Sequence, residues 1–322
     1  MSELDRVVAA LTTAPSVAVL SHVDPEGDAI GATLGAAFAL REAGKHTGAY
    51  NRDGVPPWLA HLPGASELLR IPPAAEGYAC YLVLDTSDLT RTGGLLDGRP
   101  AGAVVVNVDH HVGNTRFGDV NWIEVTASSA GEMVHRLLRR SGFPVPREAA
   151  VNLYAALYTD TGGFRYGNTT AEALRVGADL VTCGADPQDV ARRLYGHKDV
   201  REWRLLSEVL AGLQVSAGGR LAWIEVSLGA QRRAGVGLEV TDEFVQYPRS
   251  LEGVQVAAAF KEITADEIRV SLRSNGGVDV AKLAAGLGGG GHRNAAGCTL
   301  RASLAEARAL VLPTIEAALG ED

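Results

Sequence analysis

The sequence predicts an α/β protein: a doubly wound parallel-sheet domain, then a smaller α/β domain, joined by a helical linker. Three observations predict it. The apolar runs SVAVL (16–20), YLVL (81–84) and AVVVNV (103–108) lack the alternation of half-exposed strands, which suits a parallel sheet covered on both faces. Stretches of helical period alternate with them, the rhythm of a β–α–β domain. At 322 residues, and roughly 150 per domain, the chain has room for two cores.

Taken in order, residues 4–12 read as an amphipathic helix and 16–20 as the first strand. Residues 28–43 form a long Ala-, Leu- and Gly-rich helix, with Gly44 suited to its C-terminal cap. Strands at 81–84 and 103–108 follow, then helices at 129–140, 147–158 and 170–183. The charged, periodic stretch 186–213 reads as one or two helices and holds the boundary. We therefore expect a catalytic domain over 1–190, a helical linker over 191–214 and a second domain over 215–322. In the last, 221–227, 254–260 and 268–273 read as strands, and 278–287 and 303–319 as helices.

Composition bounds the function. Hydrophobic residues are 46% and charged residues 21%, a globular balance. Thirty basic residues against 38 acidic ones leave a net charge of −8, which argues against a broad basic surface for long nucleic acid. Lys45, Lys198, Lys261 and Lys282 are the only lysines; such arginine bias suits phosphate recognition, but a GC-rich genome is the favoured explanation. Cys80, Cys183 and Cys298 lie far apart and form no CxxC, as in a reducing compartment. The first fifteen residues lack the apolar core of a signal peptide, and no apolar run approaches the ~18 residues that span a bilayer. A soluble, cytoplasmic protein is the expectation.

In open parallel sheets, ligands sit beyond the carboxyl ends of the strands. Three clusters of acid and histidine fall there. His22, Asp24, Glu26 and Asp28 follow the first strand within seven residues, and a divalent cation would neutralise them. The plainer alternative is a helix N-cap made by Asp28. Asp85 leaves the strand YLVL, where it could equally cap a turn. Asp109-His110-His111 ends the strand AVVVNV. Adjacent histidines point different ways, so one can bind metal while the other faces substrate, with Asp109 fixing a ring tautomer. A fourth cluster, YTDTGGFRY, runs a helix into glycines. Asp160 sits there against the helix dipole, which favours a functional role over a mere helix end. Arg165 and Tyr166 could touch substrate or simply pack. The donors are carboxylate and imidazole without thiolate, which suits Mn²⁺, Fe²⁺ or Mg²⁺. Two such ions sharing a water form the usual device for attacking phosphorus.

The second domain carries GGGGHRNAAG (288–297) after a helix. A four-glycine turn would expose backbone amides to an anion. Gly289, Gly290, Gly291, His292 and Asn294 are the candidate substrate contacts, and the alternative is a flexible linker. Arg273, at the end of IRVSLR, is a further anion-binding candidate or a solvated strand end.

In this order and spacing, HVDPEGDAIGA, LDTSD, DHH and YTDTGGF resemble the four motifs of the DHH phosphoesterase superfamily. GGGGHRNAAG resembles the signature of the DHH-associated C-terminal domain. The layout looks most like the NrnA-like branch, nanoRNases that also act as 3′-phosphoadenosine-5′-phosphate phosphatases. The resemblance covers essentially the whole chain. It implies two Mn²⁺ ions, or Mg²⁺ or another divalent cation in their place. His22, Glu26 and Asp85 would hold one. Asp28, Asp85, His110 and Asp160 would hold the other, with Asp85 bridging. It further implies that Asp109 orients a histidine and that His111 meets the scissile phosphate or acts as general acid. The family usually has Asp where this chain has Glu26, a carboxylate reaching one methylene further.

The resemblance implies short RNA oligonucleotides and small phosphorylated nucleotides as partners, no grip on long duplex DNA, no membrane, and room for a homodimer. The alternatives are a RecJ-like single-stranded DNA exonuclease, a phosphodiesterase for cyclic or linear dinucleotides (pApA, pGpG), an inorganic pyrophosphatase, and a non-catalytic nucleotide-binding module. The acidic charge and the lack of extra domains weigh against the first. The GGGGH segment, where a dense Lys/Arg clamp would be expected, weighs against the pyrophosphatase. The complete set of metal ligands weighs against the last.

Overall fold

A computed structural model describes residues 1–71, 77–196, 198–216 and 218–320, and of His292 the backbone alone. The chain divides into two compact units, Met1–His197 and Lys198–Asp322.

The first unit contains α1 (Glu3–Thr13), β1 (Ser16–Leu20), α2 (Gly27–Glu42), β2 (His46–Tyr50), β3 (Cys80–Leu84), β4 (Val104–Asp109), β5 (Val120–Ile123), α3 (Ala130–Ser141), α4 (Arg147–Asp160), α5 (Ala171–Thr182) and α6 (Pro187–Tyr195). Its five strands lie in the order β2-β1-β3-β4-β5, all parallel. The three strands expected from their apolar runs are the three central ones. β2 (HTGAY) and β5 (VNWI) escaped the sequence reading, because as edge strands they are short and mix polar with apolar residues. Both faces are covered. Val17, Val19, Leu82, Leu84, Val106 and Val108 pack on the helical side. Ala18, Leu20, Tyr81, Val83 and Val105 pack against Tyr50, Tyr78, Leu95 and Leu96.

Two helices matter most for the site. In α2, Gly27, Gly31 and Gly35 repeat every fourth residue and so share one face. A β-carbon on Gly31 would lie 2.5 Å from the Asn152 carbonyl, and one on Gly35 2.6 Å from Leu153. The stripe thus lets α2 close on α4. That packing brings Asp28, in the first turn of α2, to Asp160, the last residue of α4. α3 starts at the N-cap Ser129, whose hydroxyl accepts from the Glu132 amide, and ends at Gly142 with a left-handed φ of +71°.

The second unit contains α7 (Val200–Ala211), β6 (Gln214–Val215), β7 (Leu221–Val226), α8 (Leu228–Ala234), α9 (Gln246–Arg249), β8 (Val256–Thr264), β9 (Glu267–Ser274), α10 (Val280–Gly286), β10 (Gly290–His292), β11 (Ala295–Leu300) and α11 (Leu304–Gly320). Its six-stranded sheet runs β10-β11-β9-β8-β7-β6, with only β7 and β8 parallel. The stretch expected as a linker contributes α7, whose Leu205, Leu206 and Val209 are buried with Ala222, Ile224 and Val226 of β7. The compact units accordingly divide before α7 rather than around it. Among the described residues, no helix is long and apolar enough to cross a membrane.

Candidate metal centre

Every expected ligand of the first unit arrives at one place because each sits where an element ends. β1 runs out into His22, β3 into Asp85 and β4 into Asp109-His110, so the parallel sheet sets these residues side by side at its carboxyl edge. Asp85 adopts φ +53°, a left-handed conformation that Asp tolerates better than most residues. Its amide still reaches the Val108 carbonyl at 3.1 Å, so the chain turns sharply without leaving the sheet. The turn that follows is capped by Asp88, which accepts from the Thr90 and Arg91 amides. Asp85 is therefore free of the capping role that could have explained it.

Three overlapping groups have ligand atoms within 4.8 Å of one another: His22, Glu26 and Asp85; Asp28, His110 and Asp160; and Asp85, His110 and His111. Asp85 belongs to two of them and lies at the middle. His22 Nε2 is 3.3 Å from its Oδ2, and His110 Nε2 is 3.4 Å from its Oδ1. His110 Nε2 is also 3.5 Å from Asp28 Oδ2 and 3.9 Å from Asp160 Oδ2.

The three histidines are each held from behind at Nδ1. His22 Nδ1 lies 2.7 Å from the Val23 carbonyl, and His110 Nδ1 lies 3.2 Å from the Ala127 carbonyl. A carbonyl only accepts, so His110 Nδ1 carries the proton and its Nε2 turns to the cluster, the usual support for a ligating imidazole, whereas His22 Nδ1 also lies 3.1 Å from the donor Arg91 Nη2. His111 Nδ1 donates to Asp109 Oδ1 at 2.6 Å. The His110 and His111 rings are 5.0 Å apart and tilted by 59°, so the adjacent pair diverges as expected.

The carboxylates are anchored differently. Asp28 accepts from the Ala130 and Gly131 amides at 2.6 and 2.9 Å, the first amides of α3. It does not cap its own helix. Glu26 does, accepting from the Asp28 and Ala29 amides at 2.8 Å each. Glu26 thus combines N-cap and candidate ligand. Asp24 lies outside the ligand groups, its amide donating to Asp53 at 2.7 Å.

Electrostatics show a cluster short of positive charge. Burial, with Asp85 and Asp160 nearby, pushes the Glu26 carboxyl up to about 7. Burial pushes Asp160 up to about 6, and Asp28 well above the carboxylate range. Burial also disfavours charge on Asp85, but the His110 and His22 imidazoles beside it outweigh burial and hold this carboxyl well down. Burial opposes charge on His22, His110 and His111 too, yet the carboxylates beside them raise all three. Asp85 Oδ1 is fully buried and has no hydrogen-bond partner in the structure. Buried polar atoms are nearly always satisfied, so an orphan oxygen amid imidazoles and carboxylates fits a site built for cations.

Several positioning residues carried no signal in the sequence reading. Asn114 Nδ2 reaches Asp109 Oδ2 at 2.6 Å, Asn107 Oδ1 at 2.9 Å and the Thr86 carbonyl at 3.1 Å. Asn51 holds the His22 carbonyl at 2.8 Å, and Asn168 spans the Ser128 and Asp160 carbonyls at 3.1 Å each. Single asparagines in loops have no spacing to betray them. Only Asn114, three residues beyond His111, lay within a motif's reach. Arg165 folds back on its own loop, donating to the Gly162 carbonyl at 2.6 Å.

The glycine segment of the second unit differs from expectation. It is not a turn with free amides. The Gly288 and Gly289 amides donate to the Ala285 and Ala284 carbonyls at 3.1 and 2.8 Å, finishing α10. Gly290 and Gly291 form β10 with the His292 backbone, opposite Gly297, Ala296 and Ala295. Gly289 is therefore not an amide donor for substrate. The glycines serve close packing: a β-carbon on Gly291, at φ +140°, would lie 2.5 Å from the Ala295 carbonyl. His292 pairs with Ala295, and Ala295 with Arg273, so the backbones of His292 and Arg273 lie in one row across three strands. Arg273 Nη1 donates to the Leu272 carbonyl at 3.0 Å, and Asn294 is exposed. The His292 side chain lies outside the described residues.

Comparison with known proteins agrees with this architecture. Residues 16–157 match the model of the DHH family, N-terminal domain, and residues 225–321 that of the DHHA1 domain. The chain is 35% identical over 289 residues to the bifunctional oligoribonuclease and PAP phosphatase NrnA of Thermus thermophilus, covering 88% of this chain and 83% of that one. It is 28% identical over 283 residues to the protein of the same name from Bacillus subtilis, covering 87% of each. Among solved structures, an exopolyphosphatase-related protein from Bacteroides fragilis superposes with a TM-score of 0.89 at 27% identity, covering 99% of this chain and 96% of that one. Similarity of this extent, over both units, makes the chain a member of the DHH phosphoesterase family, in its NrnA-like branch with a C-terminal DHHA1 domain.

Proposed function

We propose that this protein is a cytoplasmic, Mn²⁺-dependent hydrolase that degrades short oligoribonucleotides to mononucleotides and removes the 3′-phosphate of 3′-phosphoadenosine-5′-phosphate. The observation that carries this reading is the gathering of six candidate ligands, Asp85 among them, into overlapping groups, with an orphan oxygen on Asp85. Relatives whose names record oligoribonuclease and PAP phosphatase activity support the substrate class.

His22, Glu26 and Asp85 would hold one ion, and Asp28, Asp85, His110 and Asp160 a second. When bound, two such ions acidify water and neutralise charge at phosphorus. The remaining work falls to the chain. Asp109 holds the His111 Nδ1 proton at 2.6 Å, which fixes the ring and leaves Nε2 to meet the substrate. The Asp109 and Asp85 carboxylates raise the His111 pKa and so favour the protonated ring, which can stabilise charge on phosphate or donate to the leaving oxygen. Asn114 holds the second oxygen of Asp109, so the aspartate cannot swing away. In the second unit, Arg273, Gly290, Gly291, His292 and Asn294 are the proposed nucleotide contacts, with Gly289 supporting the strand.

The test is a comparison of initial rates on an RNA dinucleotide, 3′-phosphoadenosine-5′-phosphate, single-stranded DNA and pyrophosphate, after chelation and again with Mn²⁺. We expect rapid turnover of the first two, only with Mn²⁺. A preference for DNA or pyrophosphate would overturn the substrate class, and full activity after chelation the metal assignment.

A further inference from the structure

A groove of about 620 Å³ lies between α3 and α5 of the first unit, with Leu4 of α1 at its edge. In a chain of net charge −8, this groove gathers Arg136, Arg139, Arg140 and Arg175 against two carboxylates, Glu172 and Asp179. On α3 the basic residues and His135 occupy i, i+1, i+4 and i+5, neighbouring positions on successive turns. Three of the arginines are engaged: Arg136 with Glu124 at 2.6 Å, Arg140 with Asp5 at 2.8 Å and Arg175 with Glu172 at 2.9 Å. Arg139 is exposed and has no ion-pair partner among the described residues.

His135 is the telling residue. It is 3% exposed, and neither ring nitrogen has a hydrogen-bond partner. The nearest carboxylate oxygen, Asp179 Oδ2, is 3.8 Å from Nε2, too far for a hydrogen bond. Leaving a buried polar ring unsatisfied costs free energy that leucine would not incur. Burial lowers its pKa, so the neutral ring presents one donor and one acceptor to whatever fills the groove.

We propose that this groove is a second binding site, for a phosphate-bearing ligand of mononucleotide size. Guanidinium groups suit phosphate by shape and charge. The volume falls within the ~300–1,000 Å³ span of small-molecule sites. Leu4 and Val176 offer an apolar floor for a base, and the His135 ring a polar contact for its edge. The site is separate from the metal centre: α3 gives its first amides to Asp28, whereas Arg139 lies about 12 Å further along the helix. The proposal does not depend on what the metal centre hydrolyses.

The experiment is calorimetric titration of the full chain with AMP and, separately, with inorganic phosphate. The Asp85→Asn variant is used alongside wild type, so that binding at the metal centre is discounted. We expect AMP to bind Asp85→Asn at least about tenfold more tightly than inorganic phosphate does. Arg139→Gln should weaken AMP about tenfold at this site, and Arg139→Gln with Arg175→Gln should remove one equivalent of AMP binding. His135→Leu should keep or raise Tm and still weaken AMP, a pairing that a purely structural histidine would not give. The His135 ring nitrogens should shift in ¹⁵N NMR as AMP is added. Equal affinity for AMP and phosphate would overturn the mononucleotide reading. No binding to Asp85→Asn, or binding unchanged in the double arginine variant, would overturn the site.

Discussion

The metal centre of the first unit and the glycine segment of the second are both dense sequence motifs, yet they work in opposite ways. In the first, side chains are the point, and the backbone bends to aim them: Asp85 takes φ +53° to put a carboxylate between two imidazoles. In the second, the absence of side chains is the point, and it lets strands approach: Gly291 has no room for a β-carbon. A motif rich in donors reads as chemistry, and the fold gathers its side chains into one cluster. A motif rich in glycine reads equally as an anion cradle, and here at least half of it is packing.

The sharpest way to break this contrast is Asp85→Asn. The change is isosteric, yet it weakens the carboxylate shared between two groups. We expect turnover to fall on the order of a thousandfold or more, with circular dichroism unchanged and at least one equivalent of Mn²⁺ lost by equilibrium dialysis. Near-normal activity would dismantle the shared-ligand assignment. Asn114→Ala probes one layer further out. It frees Asp109 Oδ2 and, through it, His111. A loss of about 10- to 100-fold in kcat is expected, with KM little changed and the pH profile displaced. A purely structural role would lower Tm and leave the pH profile in place.

The second unit offers a paired test. Gly291→Ala must strain a φ of +140° and press a methyl into the Ala295 carbonyl, so a loss of about 1–3 kcal/mol is expected in chemical denaturation. Gly290 has open space around its α-carbon, and Gly290→Ala should leave stability unchanged. If Gly290 also lies against the nucleotide, KM rises in that variant while Tm does not move. A large loss of stability from Gly290→Ala would contradict the packing account of this segment.

Legibility followed the same divide. The three central strands were readable because burial on both faces leaves an unbroken apolar run; the edge strands β2, β5, β6 and β10 were not, being short, polar or glycine-rich. The clustering of the candidate ligands was readable because acids and histidines stand at strand ends that a parallel sheet sets side by side. The role of Glu26 as the N-cap of α2 was not, since a cap is expected from Asp, Asn, Ser or Thr, and Asp28 stood two residues away. The supporting asparagines were invisible for a different reason: Asn51 and Asn168 meet the site only through the fold. The linker helix misled because a charged amphipathic helix looks the same whether it joins two units or packs in one.

The subtlest expected effect concerns pH. In the metal-free protein, Glu26 is raised from 4.5 to about 7 and Asp160 from 3.8 to about 6, and Asp28, His22, His110 and His111 are raised as well. Each of these groups binds protons more tightly folded than unfolded. The carboxylates' contribution to stability is therefore fully present below their unfolded values, near pH 4, and is lost as pH rises through 6 and 7, while that of the histidines is fully present below 6.5 and is lost above it. Asp85 runs the other way, but its titration lies below pH 4. His135, lowered by burial, opposes the trend through a single group. Metal-free Tm should thus decline from pH 5 to pH 8. A divalent cation takes over the charge that the protons balanced, so Tm with Mn²⁺ should hold or rise over the same range, and Mn²⁺ affinity should weaken as pH falls below 7. Differential scanning fluorimetry in chelator and in Mn²⁺, at unit pH steps, reads both curves. A metal-free Tm that climbs from pH 5 to pH 8 would mean that these carboxylates are not the crowded, charge-starved group their burial implies.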